Sequence, residues 1–125
     1  MIFKKYILRI FLCFTGIIFL FCDKIPYQNK LYQLHLEKAE YNFEKQNNTL
    51  AFYNYEKAKA SCNVYSEKEK IIYCLIQMSN IQMRQSDYVG SESSATEAIT
   101  YFTDNTNLDF KTFIYNILGL NYQLL

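Results

Sequence analysis

The residues best suited to chemistry in this chain of 125 are few and scattered. His35 is its one histidine, and the four cysteines stand at 13, 22, 62 and 74. An imidazole serves as general base or ligand only beside a nucleophile, a carboxylate or further donors. Neither a nucleophile nor a ligand set neighbours His35 in sequence, which leaves it the reading of an ordinary helix-surface side chain. Cys62 and Cys74 are the only pair outside the apolar N-terminal run, and their separation does not match the CxxC spacing of zinc and redox sites. They either form a disulfide, if the body lies outside the cytoplasm, or fill space as small apolar residues. Asp87 and Glu92 are the nearest approach to a carboxylate pair for acid–base work. Asp87, however, lies in the turn signal Ser86-Asp87-Tyr88, and both residues suit the start of a helix, where the helix dipole favours negative charge. No catalytic set and no metal or cofactor site emerges, and a non-enzymatic protein is expected.

The composition favours helices for the elements around these residues. Twelve Tyr and ten Phe accompany only three Gly and one Pro, which suits helices with few breaks and disfavours β meanders. Thirteen basic residues oppose twelve acidic ones. Since Lys4, Lys5 and Arg9 all fall at the N-terminus, the remainder carries about −2. Such a balance lacks the basic face that neutralises phosphates, so nucleic-acid binding is not expected.

That basic start is followed by residues 10–22 (IFLCFTGIIFLFC), thirteen positions without a charge. This pattern is an export or membrane signal, with the positive end kept inside and the body facing away from the cytoplasm. Phe19, Leu20 and Phe21 do not offer the small side chains of an ordinary cleavage site. Cys22 resembles the modified cysteine of bacterial lipoproteins, although Phe21 departs from the small residue expected before it. An uncleaved anchor, a lipoprotein, another cleaved signal and a buried helix all stay open. Residues 1–25 are thus assigned as signal peptide or membrane anchor, and residues 28–125 as the folded domain. Pro26 marks the junction and restricts Ile25 to extended backbone.

Within the body, apolar periodicity predicts helices over residues 30–46, from Thr49 to about 63, from about 67 to 85, from 89 to 102 and from 108 to 125. Thr49 is the expected N-cap of the second helix, and Ser66 with Glu69 reads as a capping box for the third. Ala51, Tyr55 and Ala58 share one helix face. Small residues recur every forty positions: Ala39, Ser79 and Gly119 in one register, Ala51 with Ser91 and Ala58 with Ala98 in two others. Helices approach closely only where side chains are nearly absent, and a fixed period of this kind signals stacked repeats.

These positions resemble the tetratricopeptide repeat (TPR) family. Tyr115, Leu118, Gly119 and Tyr122 match its first-helix pattern Y-x-x-L-G-x-x-Y. Leu75, Met78, Ser79 and Gln82 match it loosely, and Ser86-Asp87-Tyr88 is close to the family's Gly-Asp-Tyr turn. His35, Lys38 and Asn42 match poorly, and the period of forty exceeds the family's 34. The resemblance implies an all-α solenoid of antiparallel helix pairs, about two and a half repeats behind an N-terminal hydrophobic helix. It implies a concave groove holding a protein or peptide partner, lined by Gln33, Leu36, Glu40 and Phe43, then Tyr73, Ile76, Asn80, Met83 and Arg84, then Phe113, Asn116 and Leu120. Leu36, Ile76 and Leu120 read as core before groove, whereas Asn80, Arg84 and Asn116 suit polar contact with a ligand backbone. The apolar last helix suggests either that more chain follows or that this face docks on another molecule. The expected function is therefore protein–protein interaction outside the cytoplasm. The alternative is the sensory part of a membrane-bound signalling or transcriptional regulator.

Overall fold

The computed structural model describes residues 24–124, and every regular element among them is an α-helix. The helices are α1 (Lys24–Glu44), α2 (Asn48–Ala60), α3 (Lys68–Arg84), α4 (Tyr88–Thr100) and α5 (Leu108–Leu124). The all-α expectation therefore holds. The expected N-terminal hydrophobic helix, with its basic start and Cys22, lies outside the described residues. Among those residues no helix is long and apolar enough to cross a membrane.

Each helix packs on the next in chain order, and α3 also touches α5. Both bounds of α2 return forty residues later in α4, and both bounds of α3 return in α5. The corners repeat likewise. Gln46 and Ser86 take left-handed backbone, with φ of 59° and 62°. At the first corner the Asn47 N–H donates to the Asn42 carbonyl at 2.9 Å; at the second the Asp87 N–H donates to the Gln82 carbonyl at 2.9 Å. This closes the orphan carbonyls of each helix end as a Schellman turn does. Asn47 and Asp87 then cap α2 and α4, accepting from the Leu50 N–H at 3.5 Å and the Gly90 N–H at 2.9 Å.

Several local expectations are corrected. Thr49 is not the cap of α2, because the left-handed turn at Gln46 places the cap at Asn47 and leaves Thr49 inside the first turn. Nor does Ser66 cap α3. Asn63 Oδ1 instead accepts from the N–H groups of Tyr65 and Ser66, and Glu67 returns its carboxylate to the Asn63 N–H at 2.8 Å. Helix α1 begins at Lys24, so Ile25 is helical. Pro26 falls in a first turn, where its missing N–H had no intrahelical acceptor to lose.

The core follows from the apolar spacing. Helix α3 touches α2, α4 and α5 and is buried on most of its circumference through Ile71, Ile72, Cys74, Leu75, Ile76, Met78 and Ile81. Ala39, Ala51, Ala58, Ser79, Ser91 and Ala98 are all fully buried, as close approach between helices requires. Ser79 donates its hydroxyl to the Ser91 carbonyl at 2.8 Å, and the two hydroxyl oxygens lie 2.9 Å apart. Asn121 adds its amide to Ser91 Oγ at 3.0 Å, while its buried Oδ1 has no partner among the described residues.

The third position of the first register, on α5, departs from this rule. A Cβ built on Gly119 would meet nothing within 4 Å. Tyr115 and Tyr122 are 58% and 71% exposed, and Leu118 is only half-buried. The reason is that α5 contacts only α3 and α4, through Ile114, Ile117 and Asn121, and its Tyr115–Gly119–Tyr122 face lies away from both. Gly90, by contrast, is held by a close approach. A Cβ there would lie 2.1 Å from Asp87 Oδ2 and 2.4 Å from the Gln82 side-chain amide. That amide meets its partners only with its nitrogen turned to the carbonyls of Met78 (3.2 Å) and Gly90 (3.1 Å) and to Ser94 Oγ.

Candidate functional site

The surface with most to offer a ligand lies where α1 and α3 run beside each other. Tyr73 on α3 donates its hydroxyl to Glu40 Oε1 on α1 at 3.1 Å. Around this bond opens a cleft of about 320 Å³ lined by Glu40, Phe43, Glu44, Tyr55, Tyr73 and Gln77. Tyr55 reaches it from α2 and meets the Tyr73 ring edge-on, with centroids 6.5 Å apart and planes at 71°. Burial raises the Tyr55 phenol. Burial and the bond to Glu40 push Tyr73 up to about 12. Both phenols therefore remain protonated donors through neutral pH.

The Arg84 guanidinium, one helical turn beyond Asn80, lies 4.5 Å from the centroid of the Phe43 ring, within cation–π range. Asn80 and Met83 are half-buried on α3. Neither Asn80 nor Asn116 makes a side-chain hydrogen bond among the described residues. Asn116 is exposed on α5, where it does not join the cleft. Ile76 is core at 4% exposure, Leu36 packs partly buried against the core, and Leu120 is 47% exposed. Glu40, Phe43 and Tyr73, all named from the sequence, line this cleft, whereas Glu44, Gln77 and the contribution of Tyr55 were not named there. The missed residues carry a signal all the same. Positions 33, 37, 40 and 44 on α1, 73, 77, 80 and 84 on α3, and 113, 117, 120 and 124 on α5 share one helix face at the forty-residue offset.

The other candidate residues have structural positions. His35 Nδ1 lies 3.3 Å from Asn54 Oδ1 and ties α1 to α2, so it is half-buried between helices rather than a surface imidazole. Asp87 is spent as an N-cap. Cys62 and Cys74 are free thiols, pushed up by burial to about 11 and about 12. No group of three metal-binding side chains occurs among the described residues. A larger depression of about 550 Å³ lies beside the loops 61–67 and 101–107. Of the four charged residues that line it, Glu67 and Lys70 are already paired with each other. Lys70 also donates to Asn29 Oδ1 and covers the Tyr32 ring, so this end of α3 is committed to holding α1.

Comparison with protein-family models, with curated proteins and with solved structures returned no match.

Proposed function

We propose that this chain is a non-enzymatic interaction module, a TPR-like repeat scaffold that holds a peptide or an extended protein segment along the exposed faces of α1, α3 and α5. The observation that carries this reading is the α1–α3 cleft. There two phenols, two carboxylates and an amide line open volume between helices whose interiors are already packed. The forty-residue return of helix bounds and corners supports a solenoid, in which like helix faces align into one continuous surface. Ordered polar groups along such a surface suit a ligand backbone, and the aromatic floor suits its side chains. In this reading residues 1–25 hold the module at a membrane, with its repeats outside the cytoplasm.

A peptide library displayed against the purified full chain tests the proposal. Selected sequences should lose binding to the Asn80→Ala/Arg84→Ala variant and to Tyr73→Ala, each with an unchanged helical spectrum. Retention of binding by all of these variants refutes the groove.

A further inference from the structure

Resting on the groove reading above, we infer that the α1–α3 cleft receives a basic side chain, an arginine or lysine of the bound peptide, and that the α5 face takes an apolar residue further along the same peptide. The three exposed helix faces are not alike. The α1 line carries Glu37, Glu40 and Glu44, all exposed. The α3 line carries Tyr73, Gln77 and Asn80 and ends at Arg84, and the α5 line offers Phe113, Leu120 and Leu124 at 42%, 47% and 53% exposure. Charge therefore falls away and apolar surface grows from one side of the groove to the other.

At the acidic side, Glu40 and Glu44 flank rings from Phe43, Tyr55 and Tyr73. Carboxylates beside aromatic faces and edges are what a guanidinium or ammonium group seeks, through charge-assisted hydrogen bonds and cation–π contact. The cleft already displays this chemistry within the molecule, because Arg84 places its own guanidinium over Phe43. Glu40 and Glu44 join no ion pair among the described residues. Arg84 lies over Phe43 at that end without lining the cleft, so it sets the limit of the site rather than filling it. An anionic ligand group would meet two carboxylates and is disfavoured.

The order of the faces also fixes a spacing. Packed helix axes lie about 8–10 Å apart, and an extended peptide advances about 3.3 Å per residue. The apolar residue should thus follow, or precede, the basic one by roughly three to five positions.

The test uses fluorescein-labelled octapeptides on a Gly/Ser background, carrying one Arg and one Leu four residues apart. Their anisotropy is measured against the full chain in mild detergent. Matched probes replace Arg by citrulline, Arg by Glu, or Leu by Ser. The Arg/Leu probe should bind roughly tenfold tighter than the citrulline probe and should weaken as salt rises. Glu40→Gln/Glu44→Gln should shrink that difference to about twofold. Both positions are exposed, so the thermal midpoint should hold and report an intact fold. Equal binding of Arg and citrulline probes, still lost in Tyr73→Ala, overturns the cation assignment and leaves the groove standing. Binding of no probe, or binding indifferent to Tyr73→Ala, overturns both.

Discussion

Leu75 and Tyr115 occupy the same register on α3 and α5, forty residues apart, yet the structure assigns them opposite energetic weight. Leu75 is fully buried on a helix that touches α2, α4 and α5. Leu75→Ala removes apolar surface and leaves a cavity, at a cost of about 2–5 kcal/mol. A domain of this size has a folding free energy of roughly 5–15 kcal/mol, so the change takes a large share of it. At about 4–8 °C per kcal/mol, a cost near 3 kcal/mol lowers the thermal midpoint by about 12–24 °C. Tyr115 is 58% exposed and makes one edge-on contact with Phe102, at 6.4 Å and 74°. Tyr115→Ala should cost about 0.5–1 kcal/mol, the weight of such an aromatic pair. Thermal melts followed at 222 nm, with urea titrations to check that the m-value is unchanged, measure both. If Tyr115→Ala is as damaging as Leu75→Ala, the outer face of α5 is covered in the folded protein and the packing argument fails. A cost below about 1 kcal/mol for Leu75→Ala would refute it from the other side.

Ser86→Gly and Gln46→Gly should each raise stability by up to about 1 kcal/mol, because both residues hold a left-handed backbone that disfavours a Cβ; melting midpoints that fall would contradict the corner geometry. Gly90→Ala should destabilise, since its Cβ would displace both Asp87 and Gln82. In an Asp87→Ala background, which alone costs about 1 kcal/mol as a lost cap, the added penalty should shrink, and a double-mutant cycle reads that coupling. The Asn63 N–H and Lys70 hold the Glu67 carboxyl below the usual carboxylate range. Its stabilisation is therefore present above that range and is lost as pH falls through the lowered value. Glu67→Gln should accordingly be less stable than the parent at pH 7 and converge with it in acid, as urea midpoints across pH would record. Cys62 and Cys74, raised to about 11 and about 12, should alkylate slowly at pH 8 until the chain is unfolded, as mapped by mass spectrometry.

Helix existence was plain in the sequence because apolar spacing at 3.6 residues survives in every segment of the body. The last helix, expected over 108–125, is described as Leu108–Leu124, and the fourth, expected over 89–102, as Tyr88–Thr100. Caps were harder. Gln46 gives no side-chain hint that it adopts positive φ, so the start of α2 was read at Thr49 instead of Asn47. Ser66 and Glu69 have the right types for a capping box, but Asn63 Oδ1 takes the Ser66 N–H that Glu69 would have reached, and Glu67 turns back to the Asn63 N–H. In the groove, Tyr73 and Glu40 were named from the family resemblance. Glu44 and Gln77 were passed over because a polar residue on a solvated face has no pattern of its own until the neighbouring helix is placed. Tyr115, Gly119 and Tyr122 mark the converse limit: a sequence pattern describes a face built for contact, and only packing supplies the contact.

The hydroxyl pair between α3 and α4 bears on how helix pairs of similar outline avoid mispairing while the chain collapses. Helices that end in the same corner geometry invite an exchange in which α1 settles against α4 in the seat of α3. Ala39 would then stand where Ser79 belongs, and the Ser91 hydroxyl would keep only the Asn121 amide of its two side-chain partners. Each hydrogen bond lost in this way costs about 0.5–1.5 kcal/mol. The alanine seam of the first pair and the serine seam of the second therefore work as unlike keys, so that one architecture used twice along a chain still closes in a single order.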